Sequence, residues 1–422
     1  MREYATMKHP MKASPSPSTI AFDQVESMAK AQIQYWLQQV LEAEVTEFLG
    51  RLKSQRKDLV DPGPGYRNGY GKPRRLAGSF GTITVQRPRV RDTEDPFESK
   101  VLPLFVRRTK ELGSMLPELY LHGLARGDFE LALRGLLGEG APLSESSIDR
   151  LKAGWQQEFE AWNQRDLSKL EIVYVWADGI YVKAGLEKDK ACLLVLIGAT
   201  RTGQKVVLSL TSGHRESEEG WAEVLRGLKA RGCSEPRVLA ADGHLGIWTA
   251  VGTVWPNCQE QRCWNHKIRN VADKLPQREQ ASALVLLKAM PYAKTKAEAE
   301  RLRDQFVSRY QRSHPKAARC LLDDWARLVT FYGFPRDHWK HLRTTNVVES
   351  PFATVRLRTD ASKRFKKVEN ATALMWKVLM VAEKTFRKLD GAVHLRDVMA
   401  GRNYVDGVIV PLNSPKEIKR AA

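Results

Sequence analysis

Apolar positions change period several times along the chain, and each change marks a different kind of element. Val25, Ala29, Ile33, Trp36, Leu37, Val40, Leu41, Val45 and Phe48 recur at helical spacing, with a capping-box pair, Asp23 and Glu26, ahead of them and Gly50 as a stop. A long amphipathic helix is expected, packed in a core or against a second copy. From Arg51 to Lys110 the periodicity breaks: Pro and Gly punctuate DPGPGYRNGYGKP, and only residues 82–85 read as a short strand. Helical spacing returns over residues 111–163. Residues 129–137 form a short apolar helix, Gly138 to Gly140 a turn, and Ser144 caps a longer helix with Leu151, Trp155, Phe159 and Trp162 on one face. That outline suits a helix-turn-helix and a plain αα-hairpin equally.

The middle of the chain alternates. Residues 172–183, 192–198 and 205–211 predict three successive strands, 221–230 a helix, 237–241 a strand and 244–251 a helix, the pattern of a mixed sheet flanked by helices. Strand signals then stop. Residues 281–290, 294–310 and 317–330 are helical in pattern and read as an insertion, and a final apolar helix over 372–386 is expected to pack on the sheet. The fold class expected is therefore α/β, a mixed sheet with a helical insertion, behind a mainly helical N-terminal region. The expected boundaries are a disordered tail over 1–20, an N-terminal region over 21–168 with a basic loop and strand segment at 51–110, a core over 169–267 and 343–390, the insertion over 268–342, and a tail over 391–422.

Two strands carry an acid where an apolar run gives it no ordinary use. Asp178 sits inside IVYVWADGIYVK, and Asp242 ends VLAADGH. A buried carboxylate is costly unless a cation or metal pairs with it. Acids on neighbouring parallel strands would lie about one strand spacing, ~5 Å, apart, which suits carboxylates sharing metal. Glu349, in RTTNVVESPF, is a third candidate close to the basic run RLRTDASKRFKK. Singly, each Asp-Gly could just open a turn. Glu349 could serve as a capping-box residue answering Asn346, or Ser350 could cap a helix that begins at Pro351. Cys258, Cys263 and His266 have a C-x4-C-x2-H spacing that hints at zinc without an evident fourth ligand.

Charge adds a partner class. The net charge is +19, and residues 51–110 alone hold fifteen Lys and Arg against six Asp and Glu, which favours a polyanion and nucleic acid first. Arg67, Arg74, Arg75, Arg87, Arg89 and Arg91 lie among Tyr66, Tyr70 and Phe80, suited to phosphate contact with stacking or packing. Near Glu349, the basic run contributes Arg356, Arg358, Lys363, Arg364, Lys366 and Lys367 as further DNA contacts. The longest apolar run, residues 191–199, is far short of the ~18 residues of a membrane span, and MREYATMKHPMK has no apolar core of a secretory signal. Five cysteines without tight pairing suggest a reducing, cytoplasmic setting.

Together, VWADGIYVKAG, AADGHLGIW, CWNHKIRN and TTNVVESPF, with GYRNGYG and QRPRVRD upstream, resemble the Mutator-type transposases of bacterial insertion sequences, in the family's motif order and over roughly residues 20–390. The resemblance implies an RNase H-like core interrupted by a helical insertion, with Asp178, Asp242 and Glu349 as the catalytic Asp-Asp-Glu triad. It implies that Cys263 and His266 match the family's Cys-x-x-His signature, and that the N-terminal part binds terminal inverted repeats. Pro351 departs from the family, which more often has an aromatic or aliphatic residue there. The chemistry expected is metal-dependent DNA cleavage and strand transfer. Two Mg²⁺ ions, with Mn²⁺ as a substitute, would be held by the three acids, and the partners would be transposon-end and target DNA, with a homodimer joining two ends and a nucleoid-associated location. A catalytically inactive DNA-binding derivative and a structure-specific nuclease on the same sheet are the alternatives.

Overall fold

The structure, a computed structural model, describes residues 22–411 apart from 59, 61, 62, 64, 125–127, 139, 140, 143, 144, 185–190, 214–216, 244, 362–364 and 366. The expected tail over 1–20, the Ser144 cap, most of the glycine turn and three basic residues, Lys363, Arg364 and Lys366, fall outside the described residues. The chain divides into two compact units, the first comprising 1–120 and 124–148 and the second 121–123 and 149–422.

The first unit is built on α1 (Phe22–Leu49), as the spacing predicts. Between Tyr66 and Arg91 the Pro/Gly-rich segment holds more strand than its sequence suggests. It forms two antiparallel ribbons, β1 (Tyr66–Tyr70) with β4 (Pro88–Arg91) and β2 (Arg74–Gly78) with β3 (Gly81–Val85). Only β3 was expected, because the alternation that betrays a strand is broken in the other three by Arg, Gly and Pro. Leu41 of α1 packs with Leu76, Ile83, Val85 and Leu102, and Ile33, Leu37 and Phe80 lie against them. Along the same face, Gln34 Oε1 accepts from the Thr84 amide at 3.1 Å, and Gln38 both accepts from the Gln86 amide and donates to its carbonyl at 3.0 Å. Glu44 accepts from Ser99 Oγ at 2.6 Å and from the Val101 amide at 3.2 Å, which ties the following loop to the helix. After it come α2 (Lys110–Leu121) and α3 (Phe129–Leu137), the latter on its expected span.

The second unit contains a five-stranded mixed sheet. In chain order the elements are α4 (Glu145–Asn163), β5 (Ile172–Val182), β6 (Ala191–Thr200), β7 (Lys205–Gly213), α5 (Glu218–Ala230), β8 (Val238–Ala241), α6 (Leu245–Val254) and β9 (Gln259–Arg262). The strand order is β7-β6-β5-β8-β9, antiparallel through β7, β6 and β5 and parallel from β5 through β8 to β9. Leu225 and Leu228 of α5 and Ile247 and Val251 of α6 cover one face with Val175 and Ala177, while the alternate residues Tyr174 and Trp176 face the other way. There Tyr174 Oη bonds His338 Nδ1 at 2.8 Å, and Trp176 Nε1 donates to the His341 carbonyl at 2.8 Å.

β9, sequence QEQR, is a strand that polarity hides. Gln261 and Arg262 are buried because they bond into the insertion: Gln261 Oε1 accepts from the Phe331 amide at 2.9 Å, and Arg262 pairs with Asp324 at 3.1 Å. The insertion follows α7 (Trp264–Ala272) as α8 (Gln277–Ala289), α9 (Lys296–Tyr310), α10 (Pro315–Leu322), α11 (Trp325–Leu328) and α12 (Trp339–Leu342); the helix expected over 317–330 is divided between α10 and α11, and α12 lies outside the three expected spans. The chain then returns to the sheet in α13 (Asn346–Ala361) and α14 (Val368–Glu383). Phe159 and Trp162 of α4 lie 5.9 Å from the Trp376 ring of α14, so this aromatic face serves packing. No helix among the described residues is long and apolar enough to cross a membrane.

Candidate active site

Register brings the two aspartates together. Ala177 of β5 pairs with Ala241 of β8, so Asp178 and Asp242 are the next residues on neighbouring parallel strands, about one strand spacing (~5 Å) apart. Asp178 follows Tyr174 and Trp176 on the face away from α5 and α6. Its Oδ1 accepts from the Gly179 amide at 2.8 Å. After Asp242 the chain must turn at once. Gly243 does so at φ +88°, where a Cβ would come within 1.9 Å of Arg262 Nη1, and that same Nη1 donates to the Gly243 carbonyl at 2.8 Å. Both the left-handed φ and the close guanidinium require glycine here.

Ala241 also pairs with Arg262 of β9, and the Cys263 amide donates to the Ala241 carbonyl at 2.8 Å. Cys263 therefore extends the row of Asp178 and Asp242 to a third parallel strand end. It begins α7, whose first turn carries His266. Three bonds then fasten this corner to the start of α13. The Trp264 amide donates to the Arg343 carbonyl at 2.9 Å, the Thr345 amide to Cys263 Sγ at 3.4 Å, and Asn265 Nδ2 to Asn346 Oδ1 at 3.2 Å.

α13 starts at Asn346, with Glu349 in its first turn. This replaces the expected alternative in which Ser350 caps a helix beginning at Pro351. The Thr345 carbonyl accepts from the Val348 and Glu349 amides, and Thr345 Oγ1 donates to Glu349 Oε1. Pro351 lies inside the helix, two residues past the first i→i−4 bond, so α13 forgoes the bond its amide would make to the Val347 carbonyl. Glu349 Oε1 lies 3.9 Å from His266 Nδ1, and donor atoms of Cys263, His266 and Glu349 all fall within 4.8 Å of one another.

The electrostatics link these groups into one site. Burial, then the charges of Asp242 and Glu349, push the Asp178 carboxyl up to about 7, with partial relief from His266. His266 is pushed up to about 9, first by its interaction with the Cys263 sulfur and then by Glu349 and Asp242, against the opposing effect of burial. Its Nδ1 is shielded from solvent without a hydrogen-bond partner among the described residues.

Other expected residues divide. The zinc spacing is not a cluster: Cys258 and Cys263 flank opposite ends of β9, and Cys258 is buried in the sheet core, where burial raises its thiol pKa. Arg358 was expected to face DNA and is instead 2% exposed, while Arg356 and Lys367 are exposed. In the first unit, Arg67 is half-buried, with Nη1 3.2 Å from Glu42 and Nη2 donating to Thr46 Oγ1 at 2.6 Å, so its guanidinium braces α1. Arg74, Arg75, Arg87 and Arg89 line one groove. Sequence reading missed Thr345 and the Asn265–Asn346 pair. Thr345 lies four residues before Glu349, a spacing that puts both on one helical face and was available as a signal.

The family model for "Transposase, Mutator family" matches residues 6–388. The chain is 41% identical over 307 residues to the transposase for insertion sequence element IS6120 of Mycolicibacterium smegmatis, covering 73% of this chain and 94% of that one. It is 38% identical over 293 residues to the transposase for insertion sequence element IST2 of Acidithiobacillus ferrooxidans, covering 69% of this chain and 99% of that one. Among solved structures, the Drosophila P element transposase strand transfer complex matches 70% of this chain and 83% of its own at 12% identity and a TM-score of 0.30, too remote to bear on the site. The extent of the family match and the identity to insertion-sequence relatives along nearly their whole length show that the chain belongs to the Mutator family of transposases.

Proposed function

We propose that this chain is an Asp-Asp-Glu transposase with an RNase H-like core, which binds the terminal inverted repeats of its element and catalyses metal-dependent DNA strand cleavage and strand transfer. The observation that carries the reading is that β5, β8 and α13 bring Asp178, Asp242 and Glu349 into one site, where burial first, and then the charges of Asp242 and Glu349, push the Asp178 carboxyl up to about 7. The sheet order, three antiparallel strands continued by two parallel ones, supports the fold assignment.

The donor set fits a hard divalent cation. Three carboxylates offer oxygen ligands, and their mutual repulsion is a deficit that positive charge offsets. Asp178, Asp242 and Glu349 would hold the Mg²⁺ or Mn²⁺ ions. When bound, such ions activate the attacking oxygen and stabilise the leaving oxygen at phosphorus. The remaining work falls to this chain's residues. Thr345 Oγ1 orients the Glu349 carboxylate, and the Cys263 sulfur fixes the backbone from which α13 starts. His266, pushed up to about 9, supplies a cationic ring beside the acids, with Nδ1 3.9 Å from Glu349 Oε1. Double-stranded DNA is the partner, and a homodimer would hold the two ends together.

The test is incubation of purified protein with duplex from the terminal 50 base pairs of its element and Mg²⁺, wild type beside Asp242→Asn. Nicking and joining by the wild type alone supports the reading. Equal products from both variants overturn the site, and products from branched junctions only would make the protein a structure-specific nuclease.

A further inference from the structure

Two features of the first unit break ordinary rules at one place. Residues 103–106 form a turn closed by the Val106 amide donating to the Pro103 carbonyl at 3.4 Å, and Phe105, its third residue, has φ +73°. Glycine or asparagine is the usual occupant of such a position, since an L side chain there is strained. Phe105 also leaves its ring 90% exposed, the most exposed large apolar side chain described. A strained backbone that presents a bare aromatic needs a reason other than stability.

The turn is held firmly. Arg74 Nη1 donates to the Pro103 carbonyl at 2.9 Å and to the Val106 carbonyl at 3.4 Å, one on each side of Phe105. Just beyond, the Ala77 amide donates to the Arg107 carbonyl and the Thr109 amide to the Ala77 carbonyl, both at 2.9 Å, which anchors residues 107–109 to β2. Leu104 and Arg107, on either side of the phenylalanine, line a groove with Arg74, Arg75, Arg87 and Arg89. Arg74 is disfavoured in its charged form by burial and by the neighbouring Arg87 and Arg107. Arg87 Nε is out of solvent with no hydrogen-bond partner among the described residues. Guanidinium groups crowded this closely are complementary to an anion of repeating charge.

We propose that this groove grips a phosphodiester backbone while Phe105 inserts at a base step of the same duplex and unstacks it. The proposal rests on DNA being the substrate, as proposed above. The arginines select a polyanion over an apolar protein partner, and the clamp by Arg74 gives the ring the rigidity an intercalating wedge needs.

The experiment uses the full chain in EDTA, so that no chemistry intervenes, with duplexes tiling the terminal 50 base pairs of the element, each carrying one 2-aminopurine. Wild type is expected to raise the fluorescence at one step. Phe105→Ala should abolish the rise and weaken binding at least tenfold, and Phe105→Trp should retain both. Because the ring is exposed and the φ strained, Phe105→Gly should lose the signal without lowering the melting midpoint. Arg87→Ala with Arg107→Ala should weaken binding and flatten its salt dependence by about two counterions. Unchanged fluorescence and affinity in Phe105→Ala overturn the wedge, as does a change in oligomeric state in place of DNA binding. In those cases, metal-dependent end cleavage by the wild type leaves the transposase reading standing. Failure of the wild type to bind any duplex overturns both.

Discussion

The Thr345 amide donates to Cys263 Sγ across 82 residues of sequence, joining the end of the last parallel strand to the start of the helix that carries Glu349. The sulfur acts as a hydrogen-bond acceptor, and the thiol is buried. Removing it should loosen Glu349 without touching DNA. Cys263→Ala is expected to lower the cleavage rate at saturating DNA about tenfold, the scale of a supporting contact beside a metal ligand, and Cys263→Ser to recover most of it. Rates and DNA affinity measured in parallel check this; an affinity loss equal to the rate loss would make Cys263 a substrate contact instead.

Asp178 links pH to stability. Its carboxyl is held at about 7 against an ordinary 3.8, so the folded, metal-free protein takes up a proton that the unfolded chain does not. The contribution of Asp178 to stability is fully present below about pH 4 and is lost as pH rises to about 7. Asp178→Asn removes the decline and should stabilise the metal-free protein by on the order of 2 kcal/mol at pH 8, with little effect at pH 4. Thermal melts in EDTA at both pH values test it, and added Mg²⁺ should raise the wild-type midpoint and not the variant's.

Gly243 holds both a left-handed backbone and the Arg262 guanidinium. Gly243→Ala should cost about 2–4 kcal/mol through the strained φ and the displaced side chain, and move Asp242 with it. Activity is expected to fall about 100-fold. A melting midpoint equal to wild type would show that the turn relaxes freely.

Arg67 and Arg87 lie in the same basic segment yet should behave differently. Arg67→Ala breaks the bonds to Glu42 and Thr46 and should lower stability by about 1–2 kcal/mol while leaving duplex affinity within threefold. Arg87→Ala should do the reverse. Melting curves beside salt-dependent binding isotherms separate the two roles.

The sheet and its acids were legible because β5, β6 and β8 are apolar runs, in which Asp178 and Asp242 stand out. β9 was not, since QEQR becomes a strand only through bonds to Phe331 and Asp324 of the insertion, partners far away in sequence. Glu349 could be named from its motif, but the start of α13 could not: Pro351 suggests a helix beginning there, whereas Thr345 and the Cys263 sulfur set it five residues earlier. The arginines of the first unit looked alike in sequence. Carboxylate, hydroxyl and carbonyl partners, which no local pattern encodes, divide them into Arg67, which braces a helix, and those that line the groove.

The two glutamines that α1 presents to the rim of β3 have a consequence for how the first unit comes into being. Amide side chains 48 to 50 residues upstream occupy backbone positions that another strand would otherwise claim, so the hairpin's border is closed against recruitment of a neighbouring chain. The hairpin and the helix should therefore gain their order in a single cooperative event, and a fragment beginning after Leu49 should be prone to self-association.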